Sequence, residues 1–522
     1  IAAFPNSSVR MIPVGLVINN LLTQNPFDEI PLTELYEDDA PHGRASIYFL
    51  AALATYMAMY EEKAPAFIGT EFIHEIIADN YTVENVRRVA AATAKWLKRQ
   101  GIEEPVVTIG YDCRFGGEMF AKASADTFNS YGVKVLISHS FVSTPMISLY
   151  THDVKADLGI VITASHNPPS YNGFKIKGSF GGPSFPKHIA EIEVMISDEV
   201  TGEDEAVTEL VDIESHYLET VKSKFDIEAI SKLSFAYDAM YGAGQNVIRK
   251  LFPKAHLLHC SYNPSFEGIA PEPIAKNLNQ LSALIQNNPE IGSGLATDGD
   301  ADRIGFFDED GRFVDSHHLI LLLMKYLVEH KDMTGTLVKS FSVSNKIEKM
   351  CEHYGLESLT TKIGFKYICE HMVNGDVLVG AEESGGIAIK GHIPERDGIW
   401  MALVIWEFMA KTGKSVKELI NDVYEITGSF AVERYDLHVS NEQKLSVIER
   451  CKSEDISSIG SYQIEKKEQI DGYKFHTNDG FWVMIRPSGT EPVLRVYAEA
   501  SSQEASFALL DETCTHFEIV KS

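Results

Sequence analysis

The chain predicts an α/β protein, with three similar α/β units in series, then a separate α+β unit, all behind an N-terminal extension. Three observations carry that reading. From Glu84 onward, short apolar runs alternate with helical stripes of 3.6-residue period. The alternation recurs twice without a strict sequence repeat. After about Phe430 it gives way to short strands and a last helix. The expected boundaries are 1–63 for the extension, 64–205, 206–316 and 317–430 for the α/β units, and 431–522 for the α+β unit.

Composition narrows the function classes. The 522 residues are 44% hydrophobic and 23% charged, enough to bury cores without disulfides or structural metals. A formal charge of −28 repels nucleic acid and anionic membranes, so neither is an expected partner. An anionic substrate would need a local positive island. Cys113, Cys260, Cys351, Cys369, Cys451 and Cys514 form no Cys-x-x-Cys pair and read as reduced thiols of a cytoplasmic protein.

In order, the extension reads as irregular chain and then one helix. Phe27 to Ala40 holds six acidic residues and no Lys or Arg, a solvated face by default. Ala45 to Tyr60 is apolar but interrupted by Ser46 and Thr55, and shorter than the ~20 residues of a membrane span. Val86, Val89, Ala90 and Leu97 mark a helix, followed by strands at Val106–Ile109, Val133–Ile137 and Leu158–Thr163. The second unit opens with a strand over Leu233–Tyr237 and a helix through about Phe252. Weaker strands at Leu257–Leu258 and Gly294–Thr297 flank the helical stripe Leu278, Leu281, Leu284, Ile285. The third has helix His318–Leu327, strands Leu337–Ser340 and Val377–Val379, and a helix from about Gly398 to Lys411. The tail has strands near Phe430–Val439, Phe481–Ile485 and Val493–Ala498.

Four loops carry chemistry. Thr163-Ala164-Ser165-His166-Asn167-Pro168, continuing through Tyr171 to Lys175, follows a buried strand, where α/β folds place ligand sites. Ser165 with His166 and Lys175 offers a nucleophile and proton-transfer partners, although Ser-His-Asn-Pro is also good turn chemistry. In Asp298-Gly299-Asp300-Ala301-Asp302-Arg303, alternate carboxylates can converge on a hard cation. A calcium EF-hand loop is the rival there, but its sixth position requires glycine and this chain has Arg303. The loop Gly380 to Gly386 mixes carboxylates, a hydroxyl and flexible backbone, which suits a polyol; a plain Gly-rich loop is the alternative. Arg486-Pro487-Ser488-Gly489-Thr490-Glu491-Pro492 can cradle a phosphate or simply turn the chain.

Together with Tyr111-Asp112-Cys113-Arg114 and Tyr237 to Gly242, these four loops resemble the α-D-phosphohexomutases, the family of phosphoglucomutase and phosphomannomutase. The resemblance runs from about Ala64 to the C-terminus. It implies four domains around a central cleft, the first three of shared topology. It implies Ser165 as a phosphoserine, with Asp298, Asp300 and Asp302 binding Mg²⁺ along with a phosphoserine oxygen. His166 and Lys175 would lie near the proton transfers and Arg303 would orient phosphate. Glu382 and Ser384 would grip sugar hydroxyls, and Gly364-Phe365-Lys366 would help to choose the sugar. Arg486, Ser488, Gly489 and Thr490 would hold the phosphate that is not being transferred. The implied reaction interconverts hexose 1- and 6-phosphates through a hexose 1,6-bisphosphate, with glucose as first choice and a phosphomannomutase or bifunctional enzyme as alternative. Oligomeric state is not legible.

One stretch departs from the pattern. Where the family has Gly-Thr-Ser-Gly-x-Arg, this chain has Gly69-Thr70-Glu71-Phe72-Ile73-His74, and Ile76-Ile77-Ala78-Asp79 resumes the match. Histidine is shorter than arginine and mostly neutral at neutral pH. This predicts weakened turnover, and leaves open a catalytically weak phosphosugar-binding homologue. A dinucleotide-binding enzyme is a distant rival, since Gly242-Ala243-Gly244 lacks the third glycine of that fingerprint.

Overall fold

The computed structural model describes residues 73–453, 455–487 and 493–519. The extension with its one expected helix and Gly69–Phe72 lie outside these residues, as do Ser488, Gly489 and Thr490. The chain forms two compact units. One runs to Ile304 and includes Asp397–Ile399; the other comprises Gly305–Arg396 and the chain from Trp400 onward.

The first unit opens with strands β1 (Ile73–Ile76), β2 (Val106–Tyr111), β3 (Lys134–Ser138), β4 (Leu158–Ile162), β5 (Tyr171–Gly178), β6 (Gly182–Pro183) and β7 (Thr208–Val211). They form one sheet in the order β1-β5-β4-β2-β3-β7, with β6 on β5. β2, β3, β4 and β7 are parallel, while β1 and β5 are antiparallel to their neighbours. β4 is Leu-Gly-Ile-Val-Ile, buried at every position, the continuous apolar run of a strand covered on both faces. Thr82 caps the helix Val83–Arg99 by accepting from the Asn85 N–H, and Ser143 accepts from the Met146 N–H to cap the Pro-started helix Thr144–Asp153. Tyr171 to Lys175, read as loop from the sequence, instead begins β5, the strand that returns antiparallel to β4.

Next come β8 (Ala236–Asp238), β9 (His256–Leu258) and β10 (Gly294–Thr297), parallel in the order β9-β8-β10. The strand expected at Leu233 starts three residues later, because the Leu233 N–H closes a turn onto the Ile230 carbonyl. The following helix is only Gln245–Leu251, since Met240 and Tyr241 take positive φ and turn the chain first. β11 (Ile304–Phe307) follows the aspartate loop and pairs antiparallel with β12 (Phe313–Val314).

The second unit holds β13 (Thr336–Ser340), β14 (Ser358–Thr361), β15 (Val377–Ala381) and β16 (Ile387–Ile389), in the order β14-β13-β15-β16. This repeats the order β3-β2-β4-β5, including the antiparallel last strand, and β9-β8-β10 repeats its first three. The three α/β sheets therefore share one strand order. β17 (Ala431–His438), β18 (Ser458–Ile459), β19 (Tyr462–Gln469), β20 (Tyr473–Thr477), β21 (Trp482–Pro487) and β22 (Val493–Ala500) form an antiparallel sheet in the order β17-β22-β21-β20-β19-β18. Its core includes Val483, Ile485, Val496, Leu509 and Leu510, the last two from the helix Gln503–His516. No helix among the described residues is long and apolar enough to cross a membrane.

Candidate active site

The serine loop lies between β4 and β5. Ser165 is 4% exposed and takes φ 52°, a left-handed conformation that costs a non-glycine residue energy unless its surroundings hold it. They do. Thr163 Oγ1 accepts from the Ser165 N–H at 2.9 Å and donates to Asp112 Oδ2 at 2.6 Å. The Arg114 guanidinium donates to the carbonyls of Ser165 (2.5 Å), Asn167 (2.7 Å), Pro168 (2.8 Å) and Tyr171 (3.2 Å). Its Nε lies 3.2 Å from Asp112 Oδ2, and its central carbon stands 5.1 Å from the Phe266 ring centre. Burial pushes the Asp112 carboxyl up to about 6 against the pull of Arg114, and pushes Arg114 down.

The aspartate loop follows β10. Asp298, Asp300 and Asp302 are fully buried, with one carboxylate oxygen from each within 4.8 Å of the others. Ser165 Oγ donates to Asp298 Oδ2 at 2.6 Å. Lys175 Nζ donates to Asp300 Oδ2 at 2.7 Å and lies 3.6 Å from Asp302 Oδ2. Thr144 Oγ1 donates to the same Asp300 oxygen at 2.5 Å. The Arg303 N–H donates to Asp298 Oδ1 at 3.0 Å, while its guanidinium lies 3.8 Å from Glu272. A Cβ at Gly299 would sit 2.5 Å from the Ser165 carbonyl, so glycine is what lets the two loops meet.

Three buried carboxylates beside one ammonium leave excess negative charge in a dry site. Burial and the neighbouring Asp300 and Asp302 raise Asp298 well above the usual carboxylate range. Burial would raise Asp300 as well, but Lys175 and Thr144 hold it well below that range. The buried Asp300 Oδ1 accepts no hydrogen bond among the described residues. All-oxygen donors, converging charge and an orphaned acceptor fit a hard divalent cation such as Mg²⁺. Glu309, at the twelfth position, lies in the turn of the antiparallel hairpin β11–β12, where an EF-hand would enter its exiting helix, and this removes the calcium-loop alternative. His166 is half-buried beside Ser165.

In the second unit, Glu382 Oε1 accepts from the Gly364 N–H at 3.0 Å, and its Oε2 lies 3.7 Å from Arg396 Nη1. This joins the loop after β15 to Gly364-Phe365-Lys366, which opens the helix Phe365–Asn374. Lys366 Nζ stands 5.0 Å from the Tyr367 ring centre, and Ser384 is half-buried. Arg486, near the end of β21, lies 3.4 Å from Asp471 Oδ2, which also accepts from the Ile363 N–H at 3.1 Å. Sequence reasoning missed Thr144, Asp471 and Arg396. It noted Thr163, Asp112 and Arg114 only as parts of motifs. A Ser-Thr-Pro helix start announces Thr144 but not its carboxylate partner.

Three sheets of one strand order, an antiparallel α+β sheet and a serine seated on three aspartates define the α-D-phosphohexomutase class. Descriptions of the phosphoglucomutase/phosphomannomutase domains match throughout: α/β/α domain I over residues 66–202, II over 215–311, III over 315–426, and the C-terminal domain over 437–515. A phosphoglucomutase/phosphomannomutase of Thermococcus kodakarensis is 32% identical over 459 residues, spanning 85% of this chain and 96% of its own. A phosphoglucosamine mutase of Limosilactobacillus reuteri is 30% identical over 462 residues, spanning 84% and 95%. A Thermus thermophilus crystal structure assigned as a phosphomannomutase superposes with TM-score 0.76 at 32% identity, over 88% of this chain and 100% of its own. The chain belongs to the phosphoglucomutase/phosphomannomutase family and is an enzyme of the phosphohexomutase class. That family is Mg²⁺-dependent, and the aspartate cluster is able to bind the metal.

Proposed function

We propose that this chain interconverts hexose 1-phosphate and hexose 6-phosphate, glucose first, through phosphorylated Ser165 and a hexose 1,6-bisphosphate. The observation that carries the reading is Ser165 Oγ, 2.6 Å from Asp298 in a cluster of three aspartates and Lys175. Phosphoryl transfer needs positioning and charge neutralisation more than covalent assistance. Asp298, Asp300 and Asp302 would hold Mg²⁺, which supplies Lewis-acid stabilisation of phosphoryl oxygens. Arg114 and Thr163 fix the serine loop, and Lys175 adds positive charge beside it. Lys175 and His166 are the candidates for moving the sugar hydroxyl proton, and Arg303 for orienting phosphate. Glu382, Ser384 and Lys366 would read the sugar, and Arg486 with Ser488, Gly489 and Thr490 would hold the idle phosphate. The bisphosphate must reorient so that either phosphate meets Ser165. The proposed domains are 64–205, 206–316, 317–430 and 431–522. Six buried cysteine thiols support a reducing, cytoplasmic setting.

Glucose or mannose is favoured over glucosamine by Gly386. Phosphoglucosamine mutases resemble this loop with histidine in that place, whereas a Cβ here would meet Arg396 Cδ at 2.5 Å. A coupled assay should compare glucose, mannose and glucosamine 1-phosphates, with and without bisphosphate. Fastest turnover is expected with glucose 1-phosphate, and intact mass should show phosphate on Ser165. Absence of both activity and phosphoserine would favour the phosphosugar-binding reading. That reading draws on His74, which pairs with Gly173 of β5, the strand carrying Lys175. His74→Arg is expected to raise turnover; no gain would count against a weakened site.

A further inference from the structure

Between Glu382 and Ser384 stands Glu383, a residue to which the proposed function gives no role. Its side chain turns away from the loop and is only 14% exposed. Oε2 accepts from Ser342 Oγ at 2.8 Å, from the loop after β13. Oε1 accepts from Arg434 Nη1 and Tyr497 Oη, each at 3.3 Å, from β17 and β22 of the antiparallel sheet. Its backbone carbonyl takes a fourth bond, from Ser316 Oγ at 2.6 Å. Arg434 and Tyr497 are cross-strand partners, and the guanidinium lies 5.9 Å from the Tyr497 ring. Despite burial, Arg434 holds the Glu383 carboxyl below its usual range.

We propose that Glu383 is a positioning residue that ties the sugar-reading loop 380–386 to the sheet bearing the phosphate cradle. This rests on the proposed function. The chain order supplies the logic. β22 begins at Val493, directly after Ser488–Pro492, and reaches Tyr497 four residues later. One strand thus leads out of the phosphate cradle and grips a side chain flanked by both sugar-reading residues. A shift of β17 and β22 is transmitted to Glu382 and Ser384 through a single carboxylate. A salt bridge that merely glued two sheets would have no need to sit inside that loop. The consequence is retention: sugar and idle phosphate are held in one register, so the bisphosphate reorients without being lost.

The test measures turnover while hexose 1,6-bisphosphate is titrated into wild type, Glu383→Gln, Arg434→Gln and the double variant. Loss of register lets the intermediate escape, so each single variant should need about tenfold more bisphosphate for half-maximal rate. Maximal kcat should fall less than that, and the double variant should be no worse than the worse single one. An unchanged bisphosphate requirement, or a kcat that collapses even at saturating bisphosphate, would overturn the proposal. Tyr497→Phe removes one hydrogen bond with little risk to folding and should shift the requirement the same way. Amide exchange keeps the test separate from the mutase reading. Were wild type neither active nor phosphorylated, Glu383→Gln should still speed exchange in both 380–386 and β17, and a change confined to the loop would refute the tie.

Discussion

Lys175 sets one ammonium against three buried carboxylates, and that imbalance has a measurable consequence. Removing a partner from a buried charge cluster costs about 3–5 kcal/mol, because the remaining charges stay dry and uncompensated. Lys175→Met should therefore lower the melting temperature in chelator. Mg²⁺ should restore more stability to the variant than it adds to wild type, since the cation then neutralises charge that Lys175 had covered. Equal Mg²⁺ shifts in both proteins would contradict this account, and thermal unfolding reads it without any substrate. Arg114 makes a contrasting case. Ser165 and the aspartates were visible in the sequence because each lies in a compact, chemically distinctive run. The four carbonyls that Arg114 holds lie more than fifty positions away, which no residue pattern announces. Its planar fork reaches four carbonyls at once, so lysine is no conservative replacement.

At the scale of elements, the sequence marked long, strongly apolar segments well and short ones poorly. β4 and the helix Ser316–Lys331 were evident because burial on several sides demands unbroken apolar residues. β5 was not, because Tyr-Asn-Gly at its start has the chemistry of a turn, and only pairing with β4 and β1 makes it a strand. Gly364 is an element boundary set by backbone shape. It caps the helix Phe365–Asn374 at φ 130°, with its N–H on Glu382. A Cβ there has ordinary space, its nearest neighbour being Tyr367 at 3.5 Å, so the cost of Gly364→Ala is conformational. It should destabilise by about 1–3 kcal/mol in denaturant unfolding. It should also raise KM for the hexose phosphate more than it lowers kcat, because Lys366 and Glu382 lose their common anchor. Unaltered stability would show that this φ imposes no strain.

Over the whole molecule, repetition explains what the sequence could and could not disclose. One strand order serves three times, and the Ser165, Asp298 and Glu382 loops all follow its third strand, β4, β10 and β15. The recurrence of strands and helices was legible. The equivalence of the loops was not, since it lives in pairing order and not in residue identity. The antiparallel sheet follows other rules and holds an unusual charge. Lys474 is 2% exposed, its Nζ 4.0 Å from the Trp482 ring and 4.9 Å from that of Phe341. Glu499, also buried, has two carboxylate oxygens that accept no hydrogen bond among the described residues. Burial, aided by the positive charge of Lys339, pushes the Lys474 ammonium down to about 7. The ordinary value is 10.5, so between pH 7 and 10.5 the unfolded chain binds the extra proton. Stability from this group therefore rises with pH across that window, and its full penalty stands below pH 7. Replacing both charges, in Lys474→Met/Glu499→Leu, should remove that slope. It should stabilise the fold by about 1–4 kcal/mol near pH 6 and progressively less towards about pH 10. Denaturant titrations at about pH 6, 8 and 10 measure this, and a variant that kept the wild-type slope would show that Lys474 is not its source.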